Sequence, residues 1–118
     1  QIDVPVQTDL PKMTLALSAE QSLALFRIAQ ESLTNVRKYA RATQVKLALF
    51  EEEGNVVLCI QDNGQGFNTR NIEVNGHGIA GMKHRTQMFK GSLTLQSVPG
   101  EGTHIEARLP LHSNKMLS

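Results

Sequence analysis

Two alternating runs joined by a five-residue break constrain this chain more than any other feature. They are 43-TQVKLALF-50 and 56-VVLCIQD-62, separated by 51-EEEGN-55. Period-two alternation reads as a half-buried strand, and a short Gly-containing break between two such runs reads as a hairpin. A half-buried hairpin has to lay its apolar side against a second layer. The pattern then repeats: 92-SLTLQS-97 and 104-HIEARL-109 alternate around the turn 98-VPGEGT-103.

The intervening segments supply that second layer. The tetrapeptide 18-SAEQ-21 has the spacing of a capping box, with Gln21 three residues after Ser18, and predicts a helix running to about Ala40. A shorter helix is expected from about Ile79 to Phe89. The opening 2-IDVPVQTDLP-11 is extended and interrupted by prolines, as suits a sheet edge. Residues 63–77 carry Gly64, Gly66 and Gly76, with Gly78 just beyond, and read as a long loop. The order is helix, two strands, helix, two strands. It predicts an α+β fold, a two-layer sandwich with helices on one face of a mixed, mostly antiparallel sheet. Residues 1–111 form one domain and 112–118 a polar tail.

Composition narrows the function classes. A chain of 118 residues is long enough for one domain with a real core. Twelve basic and eleven acidic side chains leave a net charge of +1, which gives no reason to expect a nucleic-acid or membrane surface. Cys59 is the one cysteine, so an intrachain disulfide is excluded and a reducing compartment is expected. No apolar run approaches the length that spans a bilayer. The chain starts at Gln1 rather than Met, as a piece of a longer protein would.

On a wheel of about 100° per residue, Ser22, Leu25, Phe26, Ala29, Leu33, Val36 and Ala40 are expected to face the sheet. Gln30, Thr34, Arg37 and Arg41 fall roughly opposite. Glu31, Asn35 and Lys38 form a row over two turns on the flank of the apolar stripe. A carboxylate, an amide and an ammonium at the rim of a core are suited to a hydrated magnesium ion and a polyphosphate. The same row also makes an ordinary solvated flank.

In 56–62, Val56, Leu58, Ile60 and Asp62 share one face. If that face meets the helices, Asp62 points inward, where a carboxylate is costly unless a donor meets it. A purine amino group is such a donor, and Gly64 and Gly66 would let the backbone pass close to a planar ring. An Asp that caps turn amides fits 62-DNGQGF-67 as well. The glycines of 76-GHGIAGM-82 lead into a helix whose first amides suit an anion, with His77 as a candidate phosphate contact; a flexible linker explains them equally. The turn 100-GEGT-103 closes a hairpin in any reading. His84, His104 and His112 show no metal-ligand spacing with Cys59, and all three read as structural or solvated.

In order, 30-QESLTNVRKYA-40, 62-DNGQGF-67, 76-GHGIAGM-82 and 100-GEGT-103 resemble the four boxes of the GHKL ATPase superfamily. More closely, the chain is similar to the catalytic ATP-binding domain of bacterial sensor histidine kinases, in the subfamily that pairs with NarL-type response regulators. The resemblance spans about residues 5–110 and implies a Bergerat α/β sandwich that binds ATP with Mg2+. It implies Asn35 as the magnesium ligand, Glu31 as catalytic base or positioner, and Lys38 near the phosphates. It places Asp62 on the adenine amino group, with Gly64 and Gly66 shaping the pocket. Gly78 and Gly81, with His77 and Met82 beside them, match the hinge of an ATP lid at residues 67–81. Gly100, Gly102 and Thr103 match the last box, with Thr103 near the adenine.

Tyr39 stands where relatives often carry His. No segment resembles the helical dimerisation domain with its phosphoacceptor histidine. The resemblance therefore implies a protein histidine kinase fragment that binds ATP without phosphorylating itself alone. Its expected partners are that phosphoacceptor domain and, downstream, a response regulator. The expected setting is the cytoplasm, with the parent protein anchored in the bacterial inner membrane. Three rivals stay open at this point: a GHKL serine kinase, a GHKL hydrolase, and a non-catalytic binding module.

Overall fold

The computed structural model describes residues 5–10, 16–67 and 78–111, together with the backbone but not the side chain of Ala40. The elements run β1 (Val6–Asp9), α1 (Ala19–Asn35), a π-helical turn (Val36–Ala40), β2 (Val45–Glu52), β3 (Asn55–Asp62), α2 (Ile79–Gln87), β4 (Ser92–Ser97) and β5 (Thr103–Pro110). The sheet has the order β1-β2-β3-β5-β4. Among the described residues, only the β1–β2 pairing is parallel; the other three pairings are antiparallel. The expected α+β sandwich is present, with both helices packed on one face.

Each element forms for a local reason. Ser18 and Gln21 close the capping box: the Gln21 amide N–H donates to Ser18 Oγ (3.0 Å), and the Ser18 N–H donates to Gln21 Oε1 (3.1 Å). The Gln21 side chain then donates from Nε2 to the carbonyl of Pro110 (2.7 Å), tying the start of α1 to the end of β5. The β2–β3 hairpin turns at Glu53 and Gly54, both at positive φ, the conformation that a two-residue turn matched to strand twist requires. Val56, Leu58 and Ile60 face the helices as alternation predicts, and pack with Ile105, Ala107 and Leu109 of β5 against Leu25, Ile28, Val36, Ile79 and Met82.

The helix wheel is corrected. Leu25 and Val36 are buried, and Ala29 and Leu33 half-buried, but Ser22 and Phe26 face outward, Phe26 at 60% exposure. The face against the sheet is instead Gln21, Ala24, Leu25, Ile28 and Ser32, with Ile28 fully buried. Two of these residues are polar, and their hydrogen bonds make burial tolerable. Residues 1–4, 11–15, 68–77 and 112–118 and the side chain of Ala40 lie outside the described residues, and with them most of the expected lid and the whole of the expected polar tail.

Candidate functional site

A cavity of about 360 Å³ opens between the end of α1, the start of α2 and the sheet, within the size range of small-ligand sites. Ser32 and Asn35 line it from α1, and Val36, Lys38, Tyr39 and Arg41 from the π-helical turn and its exit. The sheet supplies Ile60, Asp62, Leu95, Thr103 and Ile105, and Ile79 of α2 closes another wall. Gln65, Gly66 and Phe67 form its rim. Asn35 and Asp62, far apart in sequence, thus bound one space.

Asp62 is the last residue of β3, paired with Val45 on one side and Thr103 on the other. It is 7% exposed. The Gly64 N–H donates to its Oδ1 (2.8 Å). Burial raises its pKa above the ordinary carboxylate value, and the backbone N–H groups of Gly64 and Thr103 oppose that rise. A buried carboxylate on an otherwise apolar wall is suited to a ligand that brings its own hydrogen-bond donor.

The remainder of 62-DNGQGF-67 ties three segments together. Asn63 Oδ1 accepts the N–H groups of Thr43 (2.9 Å) and Gln44 (3.0 Å), while its Nδ2 donates to Thr43 Oγ1 (2.9 Å). Gln65 donates from Nε2 to the Tyr39 carbonyl, and its own carbonyl accepts the Gly100 N–H. Gly66, at φ +64°, lies so close to the Val98 and Gly102 carbonyls that a Cβ there would collide with both. The Phe67 N–H donates to Ser97 Oγ (2.9 Å). Ser97 in turn donates to the Gly102 carbonyl (3.1 Å) and touches Thr103 Oγ1 at 2.8 Å. With the Ser97 proton committed to Gly102, the Thr103 hydroxyl is the donor in that last contact. Gly102, at φ +83°, presses on the Asp62 carbonyl. The loop after β3 is thus clamped between the start of β2 and the β4–β5 turn, holding Asp62 at the cavity wall.

Of the residues singled out from the sequence, Asn35, Lys38, Asp62, Gly66 and Thr103 line the cavity, and Gly64 and Gly102 brace Asp62. Glu31 stands off the cavity wall: a Cβ on Gly78 would come within 2.5 Å of its Oε1. Gly78 is the N-cap of α2 at φ +66°, so Glu31 abuts the junction where α2 begins. Gly81 lies within α2, and Met82 sits in the core at 0% exposure with the Ser32 hydroxyl donating to its sulfur (3.7 Å). His77 lies outside the described residues.

Arg41, expected on the side of the helix opposite the sheet, borders the cavity, as does Tyr39, while Gln65 and Ser97 are contributors that pattern reading missed. The π-helical turn delivers the first two, and no periodicity announces such a turn. Ser97 follows the alternation of β4, and its inward parity was the available signal.

On the opposite face of the sheet, Cys59, His104 and Glu106 bring their ligand atoms within 4.8 Å of one another. His104, which has no ligand spacing with Cys59 along the chain, comes near it across the strands. Antiparallel pairing places Cys59 opposite Glu106, and His104 two residues further along the same face. Burial and the neighbouring Glu106 push the Cys59 thiol up in pKa.

Comparison with known proteins identifies the family and the fold. The family described as histidine kinase-, DNA gyrase B-, and HSP90-like ATPase matches residues 20–113. The signal transduction histidine-protein kinase/phosphatase DegS of Brevibacillus brevis is 38% identical over 89 residues, covering 75% of this chain and 23% of that protein. The sensor protein VraS of Staphylococcus saprophyticus is 36% identical over 88 residues, covering 75% and 25%. The chain thus spans about a quarter of the length of these relatives. Among solved structures, the blue-light activated histidine kinase EL346 of Erythrobacter litoralis superposes with a TM-score of 0.75 at 21% identity, covering 94% of this chain and 37% of that one. The histidine kinase AdeS of Acinetobacter baumannii gives 0.77 at 16% identity, covering 93% and 55%. At such identities the two structures speak for the fold.

Proposed function

The chain belongs to the family of histidine kinase-, DNA gyrase B- and HSP90-like ATPases, and from that membership we propose that it works as a phosphoryl donor. It is the ATP-binding catalytic domain of a sensor histidine kinase. The proposal is that it passes the γ-phosphoryl group of ATP to a histidine on a separate helical domain, which then serves a response regulator. The observation that carries this reading is the shared cavity: the buried Asp62 carboxylate on one wall, Asn35 and Lys38 on another.

The residues present fit the group they are expected to hold. Val36, Ile60, Ile79 and Ile105 give the cavity apolar walls that would take a planar base. The Asp62 carboxylate, braced by Gly64 and Thr103, meets an exocyclic amino group as acceptor. Asn35 offers a neutral oxygen of the kind magnesium takes alongside waters, and Lys38 offers a charge for phosphate oxygens. When bound, magnesium would supply charge neutralisation along the phosphates. Glu31, seated against Gly78, is in this proposal the group that would orient or deprotonate the acceptor rather than touch the base. Positioning and electrostatics account for most phosphoryl-transfer catalysis.

No described helix is long and apolar enough to cross a membrane. The parent's anchorage in the inner membrane, and its pairing with a NarL-type regulator, are part of the same proposal.

The test is transfer. The chain, Mg-ATP and a separately produced helical domain from a relative such as DegS are mixed. An acid-labile phosphohistidine on the helical domain is expected, and none on this chain when incubated alone. Acid-stable phosphoserine on an added protein would favour the serine-kinase reading. Phosphate release without an acceptor would favour a hydrolase. Binding with neither product would leave a nucleotide-binding module.

A further inference from the structure

We propose that the outer face of the sheet holds a second, independent metal site, in which Cys59, His104 and Glu106 bind one borderline divalent ion of the zinc class. The three side chains sit on adjacent strands of one sheet face, with their ligand atoms all within 4.8 Å. They are a sulfur, a nitrogen and an oxygen, each half-buried. That donor mixture suits zinc or cobalt and is foreign to magnesium or calcium.

The surroundings prepare the set. Arg108 Nη2 donates to Glu106 Oε2 (3.1 Å), which leaves Oε1 as the oxygen that meets the Cys59 thiol at 3.9 Å. Such outside hydrogen bonds orient the ligands of metal centres. Arg108 also reaches Glu52 (3.4 Å), so two carboxylates share its guanidinium. His104 borders a shallow cleft of about 210 Å³ with Gln61 and Gln96, a route by which a hydrated ion reaches the ring. Tetrahedral zinc with ligand bonds of about 2.0–2.3 Å holds its donors roughly 3.3–3.8 Å apart. The three donors therefore close by roughly 1 Å through side-chain torsions, and a water completes the fourth position. On binding, the ion replaces the thiol proton, which passes to solvent, and no oxidation state changes.

Strand alternation separates this site from the cavity. Ile60 and Ile105 point toward the helices while Cys59, His104 and Glu106 point away. The two sites are therefore testable independently.

The whole chain is titrated with Co2+ and followed by absorption. One equivalent is expected to produce a thiolate-to-cobalt charge-transfer band, displaced by Zn2+. Cys59→Ser should abolish the band, and His104→Gln should weaken cobalt binding at least about tenfold, while Mg-ATP affinity stays unchanged in both variants. A protein that gives no thiolate band, or variants that bind as the parent does, would overturn the site. Should Cys59→Ser fail to fold by circular dichroism, alkylation of the parent decides: zinc is expected to slow iodoacetamide labelling of Cys59 about tenfold or more, and an unchanged rate would refute the assignment.

Discussion

Asp62 is where stability and function pull in opposite directions. Its carboxylate is buried and its pKa is raised, with burial as the main cause. A raised carboxyl pKa means that the folded state prefers the neutral acid. That preference adds stability at pH below the unfolded carboxyl value of about 3.9. It is lost as pH rises through the folded pKa. Asp62→Asn, which mimics the neutral form, should therefore make the ligand-free protein at least as stable as the parent at neutral pH. The gap should narrow as pH falls into the carboxyl range. Urea denaturation at several pH values reads this directly, and a variant less stable at neutral pH would mean that the charge itself braces the loop. Glu31 makes a different demand. Because it abuts Gly78 rather than the cavity, Glu31→Gln should leave ATP affinity within about twofold while slowing phosphoryl transfer by about 10²–10⁴-fold, the usual range for a lost acid–base group.

Among the elements, the strands were legible and α1 was only half so. Period two leaves a strand two orientations, and the apolar parity of Val56, Leu58 and Ile60 picks one, carrying Asp62 with it. The helix offers more choices. Leu23, Phe26 and Leu33 compete with Leu25 and Ile28 for the buried stripe, and a wheel weighted by hydrophobicity discounts Gln21 and Ser32. Those two are buried because Gln21 bonds Pro110 and the cap, and Ser32 bonds Met82. Hydrogen-bond partners distant in sequence are invisible to periodicity. The revised face has a direct consequence. Ile28→Ala should cost about 2–5 kcal/mol in denaturant unfolding, whereas Phe26→Ala should stay within about 0.5 kcal/mol. The reverse order would restore the original wheel. The π-helical turn was equally hidden, yet it carries Lys38 and Tyr39 to the cavity and ends at Arg41, which has φ 52°. Such turns recur at functional sites.

At the scale of the whole molecule, the site exists because topology gathers what the chain scatters. Strand order β2-β3-β5 puts Asp62 beside Thr103; α1 lies across these strands and brings Asn35 over them. Four short motifs, each compatible with an ordinary turn or helix flank, acquire one meaning when they border the same space. Their order along the chain was readable beforehand, as was the sandwich. The bracing by Asn63, Gln65 and Ser97 was not, because each works through a partner on another segment. The outer-face cluster is hidden for the same reason: Cys59 and His104 lie far apart along the chain and meet across strands.

The most direct measurement is isothermal titration of the chain with Mg-ATP, for the parent and for Asp62→Asn. One site per chain is predicted, with the variant binding weaker by about 1–3 kcal/mol, the cost of leaving one buried hydrogen-bonding group mismatched. Equal affinities for the two proteins would contradict the assignment of Asp62 to the base and, with it, the reading of the cavity.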